Sequence, residues 1–283
     1  MIERAYVEIG NICNLSCSFC PKTARPPKRM SADEFSLIAE KLKGEVSYIY
    51  LHVMGEPLLH PELSRILDVL GEVGIPACIT TNGTLLSSRA DTLLSHASVV
   101  HKVAISLHSL EGNGKEALMR EYISTVADFS KRASDAGIYT VLRLWNEDSP
   151  ERMGENSSNS EILGLLKEAF PDEWQKRRAG YRLMKNVFLE YAQIFTWPTE
   201  STAEEQEAGR CHGLIDQIAI LADGTVVPCC LDSEGEISLG NIKSQSLAKI
   251  LSSSRAAEMK KGLQNGHFTE SLCRRCTYAR RFL

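Results

Sequence analysis

Cys13-Asn-Leu-Ser-Cys17-Ser-Phe-Cys20 sets three thiols within eight residues, separated by three and then two residues. Three thiolates on one tight loop can each hold a different iron of a cubane, which leaves the fourth iron without a protein ligand. An iron with an open position can bind and activate a small molecule. Structural zinc wants four closed ligands, and no histidine or further cysteine lies in the next thirty residues. Zinc and a disulfide therefore explain the motif poorly.

These thiols need a scaffold. In the first two thirds of the chain, short apolar segments alternate with amphipathic ones, the pattern of a parallel sheet covered by helices. The spacing predicts strands over residues 5–9, 48–54, 77–81, 103–107, 140–145 and 187–191. Ser31-Ala-Asp-Glu34 is a capping-box signature that opens a helix to about Leu42, ended by Gly44. Further helices are expected over 61–70, 87–94 and 115–136. Six strand–helix units are too few for a closed eight-stranded barrel, so a partial (β/α)6 TIM-like barrel is expected.

Side chains alternate across a strand. In residues 48–54, Ile49, Leu51 and Val53 suit covering helices, and Tyr48, Tyr50, His52 and Met54 then face the barrel interior. The same test puts Glu8 on the first strand's inner face, Thr80 and Asn82 on the third, Ser106 and His108 on the fourth and Arg143 on the fifth. All lie near strand C-termini, where barrel enzymes assemble their sites. Burying so many polar groups costs free energy unless each has a partner, which favours a binding site over a purely structural role. His52 and His108 are the candidate catalytic side chains, able to touch substrate or relay protons. A satisfied core histidine is the alternative for each, internal hydrogen bonding that for Ser106 and Arg143, and bracing of the cysteine loop that for Glu8.

A second cysteine set follows an acidic stretch, Trp197 to Gly209, that lacks apolar periodicity and reads as a linker. Cys211 comes next, then Asp223-Gly224 as a hairpin turn, Cys229 five residues after Gly224, and Cys273-Arg-Arg-Cys276. Cys211, Cys229, Cys273 and Cys276 make a four-thiolate cage that suits zinc or an iron-sulfur cluster. Cys230 is able to replace Cys229. Cys78 has no such neighbours and is expected in the core.

With Phe19 just before its last cysteine, the first motif resembles the Cys-x3-Cys-x2-Cys signature of the radical S-adenosylmethionine (SAM) superfamily. The resemblance implies the same partial barrel. It also implies that the unligated iron chelates SAM, and that electron transfer cleaves SAM to a 5'-deoxyadenosyl radical that abstracts a hydrogen atom from substrate. Gly55-Glu56-Pro57 resembles the family's Gly-Glu-Pro motif, which holds the SAM amino group, and Thr80-Thr81-Asn82-Gly83 resembles its third-strand motif near the methionine moiety. An ordinary Asn-Gly turn is the alternative for the latter. Ser106 and Arg143 sit where related enzymes bind the SAM carboxylate and ribose. The expected cofactor-binding residues are thus Phe19, Gly55, Glu56, Pro57, Thr80, Asn82, Ser106 and Arg143. The second cysteine set resembles the SPASM or twitch extension of this superfamily. Because no further cysteines follow Cys276, the resemblance implies one auxiliary [4Fe-4S] cluster. Expected boundaries are a radical SAM core over 1–195, a linker over 196–210 and a small α+β, cysteine-rich cluster domain over 211–283.

Composition agrees with an enzyme of this kind. The 283 residues are 43% hydrophobic, enough for a large core, and the net charge of -4 gives no general case for nucleic acid or membrane binding. No apolar run approaches the eighteen or so residues of a membrane span, and the opening Met-Ile-Glu-Arg resembles no secretory leader. Nine cysteines in short spacings then read as reduced thiols and metal ligands in a cytoplasmic protein. The basic run Lys22 to Arg29 is either a solvated loop or a surface for an acidic, flavodoxin- or ferredoxin-type electron donor, and 148–160 is a polar loop or a lid. The expected reaction is oxidation of a small molecule or short peptide, completed with the auxiliary cluster. Peptide or protein maturation, RNA modification and a non-catalytic electron carrier are the alternatives.

Overall fold

The computed structural model describes residues 1–199 and 206–282. β1 (Ile2–Val7) leads through the first cysteine loop to α1 (Ala32–Leu42). The capping box forms: the Ser31 hydroxyl accepts from the Glu34 N–H, and the Glu34 carboxylate accepts from the Ser31 N–H. α1 buries Phe35, Ile38, Ala39 and Leu42 against the sheet, and each large apolar side chain so buried contributes about 1.5–3 kcal/mol. Gly44, at φ +75°, lets the chain turn into β2 (Val46–Tyr50).

The alternation then repeats with α2 (Leu63–Val73), β3 (Ala77–Thr81), α3 (Leu86–Ser95), β4 (Val100–Ser106), α4 (Met119–Asp135), β5 (Tyr139–Glu147) and α5 (Asn159–Ala169). A short antiparallel pair, β6 (Gln175–Arg177) and β7 (Gly180–Met184), precedes the sixth parallel strand, β8 (Val187–Gln193). The rest of the described chain adds β9 (Gln217–Ile220), β10 (Thr225–Val227), β11 (Gly240–Asn241) and three helices, α6 (Leu247–Leu251), α7 (Ser254–Gln264) and α8 (Ser271–Arg274).

The eleven strands of the described residues form one sheet, ordered β11-β10-β9-β1-β2-β3-β4-β5-β8-β7-β6. Its centre is the expected six-stranded parallel arrangement with helices outside, an open partial barrel. Two features depart from the expectation. β6 and β7 extend one edge, and β9 lies parallel to β1, pairing Arg4 with Gln217 through Val7 with Ile220. The cysteine-rich region is thus continuous with the barrel sheet. It is pinned to α1 as well, because the Lys41 ammonium donates to the carbonyls of Ile242, Lys243 and Gln245. The anticipated turn at Asp223-Gly224 joins β9 to β10, with Gly224 at φ +94°. Of the expected linker, residues 200–205 lie outside the described residues. Its end packs on the C-terminal segment, where Gly209 donates to the Gly266 carbonyl and Phe268 to the Glu207 carbonyl.

β2 stops at Tyr50, earlier than the spacing predicted. Ile49 and Leu51 do face the helices and have no exposed surface, but beyond Tyr50 the alternation lapses. Val53 lines the barrel cavity instead of facing the helices, Met54 donates its backbone N–H to Glu8, and Tyr48 lies against His101. Residues 148–158 form a polar connection whose end is fastened by the buried Glu111 carboxylate, which accepts from the Ser158 N–H and the Ser157 hydroxyl. Among the described residues, no helix is long and apolar enough to cross a membrane.

Candidate functional site

The loop carrying Cys13, Cys17 and Cys20 hangs from the C-terminal end of β1, and backbone and amide donors aim at its sulfurs. Leu15 N–H reaches Cys13 Sγ at 3.4 Å, Lys22 N–H reaches Cys20 Sγ at 3.4 Å and Asn113 Nδ2 reaches Cys17 Sγ at 3.1 Å. Such donors stabilise a thiolate. Burial and the neighbouring thiols push Cys13 and Cys17 up, so the bare thiols resist ionising at neutral pH. A bound cation supplies the compensating charge, because thiol ligands lose their protons on binding metal. Among the described residues no three His, Cys, Asp or Glu side chains converge as a single ion requires. A cubane asks for less convergence, since each thiolate takes its own iron, and a three-thiol loop supplies the donors for it.

Gly55-Glu56-Pro57 presses against this loop. Gly55 has φ +82°, and a Cβ there would lie 2.3 Å from the Gly10 carbonyl oxygen, so only glycine fits. Glu56 N–H donates to the Ile12 carbonyl. The Glu56 carboxylate is buried and accepts from Leu58 N–H at 3.0 Å, Thr81 Oγ1 at 2.7 Å and Asn82 N–H at 2.8 Å. Burial pushes its pKa up against those three donors. Asn82 then reaches Cys13 Sγ at 3.8 Å and Asn14 Oδ1 at 3.0 Å. Gly55, Glu56 and Asn82 therefore form a bracket holding the cysteine loop, and neither they nor Pro57 lie on the cavity wall.

The cavity, about 500 Å³, runs down the barrel interior, a size suited to small-ligand binding. Phe19, His52, Thr80, Ser106, His108 and Arg143 all line it, as do Cys211, Cys229, Cys273 and Cys276. Arg143 donates to Ser106 Oγ at 3.0 Å and lies 4.3 Å over the Trp145 ring, while its Nε is buried without a partner. Burial pushes its pKa down to about 10, which leaves it charged at neutral pH. His52 is pushed down to about 3 by burial and then by Arg143 and Lys102, and its Nδ1 has no partner. His108 is pushed down to about 4 by burial and Arg143, and it packs 4.7 Å from Phe19. Both rings are neutral at physiological pH. The unpartnered nitrogens of Arg143 and His52 are groups that a bound ligand satisfies, so the wall fits a polar cofactor such as SAM.

The second cysteine set gathers where the C-terminal region covers the barrel. Burial raises Cys229 and Cys273 well above the usual thiol range; Cys230, Cys211, Cys273 and Cys276 add to it for Cys229, and Cys211 and Cys276 for Cys273. Cys276 is pushed up to about 11, first by burial. Cys230, raised to about 12 by burial, packs instead with Val53, Ala219, Leu221 and Val227, beside Tyr6. Cys229 lies near all three of Cys211, Cys273 and Cys276, whereas Cys211 and Cys276 are the members of the set that raise Cys230. Cys78 is buried.

Glu8 was legible as an inward residue able to brace the cysteine loop, but its partner Arg25 and the Gly112–Asn113 pair escaped the sequence reading. Glu8 has no exposed surface and does more than brace the loop: its carboxylate accepts from Arg25 Nη1 and Nη2 at 2.8 and 2.6 Å, from Met54 N–H and from Ala222 N–H. Arg25 Nε continues to the Ser233 carbonyl. Glu8 and Arg25 thus tie the first cysteine loop to the hairpin that leads to Cys229. Gly112 and Asn113, just after β4, clamp the loop's other side. Asn113 Oδ1 accepts from Ser16 N–H, and a Cβ on Gly112 would lie 2.6 Å from the Phe19 ring. The adjacent Gly-Asn-Gly at 112–114 was the only sequence signal for this clamp.

Residues 7–146 match the model of the radical SAM superfamily, and residues 211–277 match that of SPASM, an iron-sulfur cluster-binding domain. The sporulation killing factor maturation protein SkfB of Bacillus subtilis is 24% identical over an alignment 279 positions long that covers 90% of this chain and 66% of that protein. BtrN in complex with AdoMet and 2-DOIA superposes with a TM-score of 0.62 at 18% identity, over 98% of this chain and 93% of BtrN. Streptococcus suis SuiB bound to its precursor peptide SuiA gives 0.60 at 15%, over 98% of this chain and 70% of SuiB. At these identities the two structures share the fold. The chain spans two thirds or less of the length of the curated relatives it matches.

Proposed function

Because the chain belongs to the radical SAM superfamily and carries a SPASM domain, which makes it an iron-sulfur oxidoreductase-type enzyme, we propose that it removes a hydrogen atom from an organic substrate and completes an oxidation. When bound, SAM and its [4Fe-4S] cluster supply a 5'-deoxyadenosyl radical, and a second cluster supplies an acceptor for the remaining electron. The observation that carries this reading is that the three-cysteine loop, through Phe19, and the four-cysteine set, through its sulfurs' residues, border one cavity.

In this reading Cys13, Cys17 and Cys20 hold the first cluster. Thr80, Ser106 and Arg143 bind SAM from the wall, with Arg143 offering a guanidinium fork to a carboxylate. Gly55, Glu56 and Asn82 act through the bracket that orients the loop. Cys211, Cys229, Cys273 and Cys276 hold one auxiliary [4Fe-4S] cluster. Neutral His52, with its free Nδ1, and His108 are placed to hydrogen-bond the substrate, because rings pushed down to about 3 and about 4 are too weakly basic to take up a proton at neutral pH. An acidic flavodoxin- or ferredoxin-type donor supplies the electron. A peptide is the substrate class that SkfB, as a maturation protein, and peptide-bound SuiB support; BtrN with 2-DOIA supports a small molecule.

The test is anaerobic incubation of the iron-loaded protein with SAM, reductant and candidate peptides and small molecules, including any short peptide encoded beside its gene. The expected result is 5'-deoxyadenosine formed in step with a change in substrate mass. Absence of 5'-deoxyadenosine from fully loaded, reduced protein would sink the reading.

A further inference from the structure

Below the residues assigned to SAM, the cavity reaches Arg4, Tyr6, Tyr50 and Lys102. Lys102 precedes Ser106 by four residues on β4, which places it about 13 Å further down the barrel. Its ammonium donates to the Tyr50 hydroxyl at 3.3 Å and lies 5.2 Å over the Tyr50 ring. Among the described residues no carboxylate forms an ion pair with it. Of the carboxylates near the wall, Asp216 pairs with Arg4 at 2.8 Å and Asp232 is held by the N–H groups of Gly235, Glu236 and Ile237, while Glu190 lies beside Arg143 in the β5–β8 register. A half-buried ammonium without a counter-charge costs free energy, and the neighbouring His52 Nδ1 is also without a partner. SAM offers no surplus negative charge, since it carries an ammonium and a sulfonium against one carboxylate.

We propose that the deep end of the cavity binds an anionic group of the substrate, a carboxylate or a phosphate, through Lys102 with Tyr50 and His52 beside it. This inference rests on the function proposed above and deepens it: the substrate enters with its anionic group leading, and its reacting carbon remains higher, towards the cysteine loop. The aromatic residues Phe195, Trp197, Tyr278 and Phe282 on the same wall suit the apolar remainder.

Isothermal titration of the iron-loaded, SAM-bound protein with N-acetyl-glutamate amide, glutarate and inorganic phosphate tests it. The carboxylate probes stand for an acidic peptide side chain, and phosphate stands for a phosphorylated small molecule. At least one probe should bind, Lys102→Met should weaken it tenfold or more, and Lys102→Arg should retain most of it. Tyr50→Phe, which preserves volume, should weaken the same probe several-fold and serves as the second variant if Lys102→Met fails to load iron. Failure of every probe to bind the wild type would overturn the proposal, as would equal binding by wild type, Lys102→Met and Tyr50→Phe. Iron content and SAM affinity, measured on the same samples, report on the underlying function separately.

Discussion

Glu8 is a carboxylate with no exposed surface, and it is satisfied only because Arg25 and two backbone N–H groups converge on it. Arg25→Met should therefore cost about 3 kcal/mol, the loss expected when one member of a buried pair is removed, read as a shift in the denaturation midpoint of the loaded protein. Arg143→Ala should weaken SAM binding by about 1.5–3 kcal/mol, the worth of a charged hydrogen bond, with iron content unchanged by titration under anaerobic conditions. The cysteines separate by role. Cys13→Ala, Cys17→Ala or Cys20→Ala should each abolish SAM cleavage. Cys273→Ala with Cys276→Ala should lower iron from about eight to about four per chain, leaving slow SAM cleavage without substrate oxidation; full product formation would refute the accepting role. His52 gives a pH signature. Its folded pKa, about 3, lies below the ordinary value near 6.5, so the unfolded chain takes up a proton that the folded one refuses. Its contribution is present above pH 6.5 and declines as pH falls from there towards 3. Urea midpoints at pH 7.5, 6.0 and 5.0 should fall with pH, and less steeply in His52→Gln.

At the scale of elements, legibility followed periodicity. α1 was readable from its capping box and apolar face, and β3 from its apolar run, because those signals are local. β2 ended early since its next residues serve the Gly55 bracket, where tertiary contacts override alternation. α5 was hidden because its start lies in a polar connection read as loop. The six-stranded parallel core was legible, but the β6–β7 edge, in a charged stretch, and the β9–β1 pairing, about two hundred residues apart in sequence, carry no local pattern. The same division holds in the site. Cysteine spacing and inward strand positions could be read, whereas Glu8, Arg25 and Asn113 act through partners that only the folded chain brings near. Glycines show the cost of such close packing. Gly55→Ala, which combines φ +82° with a backbone clash, should lower iron by about half, the first thiol set being lost and the second kept. Gly112→Val should displace Phe19 and weaken SAM affinity without lowering iron at the second set, which iron analysis and titration distinguish.

For the whole molecule, the C-terminal region completes the barrel. A chain ending at residue 210 would leave β1 without β9, Glu8 without the Ala222 N–H and Lys41 without three carbonyls. Such a fragment should aggregate on expression, since an open apolar strand edge pairs with other chains; a monomeric, folded fragment that loads iron would contradict this. The pairing of β1 with β9 also dictates an order of events on the ribosome. β1 emerges first, yet its outer edge and its buried carboxylate wait until more than two hundred further residues have been synthesised. Closing so long a loop is entropically slow, so the segment bearing Cys13, Cys17 and Cys20 is held first by its Glu56, Asn82 and Asn113 contacts and gains the Ala222 fastening of Glu8 only late in translation. Metal insertion at the second thiol set is then necessarily the later step, and nascent chains halted before Ala222 should lack its iron.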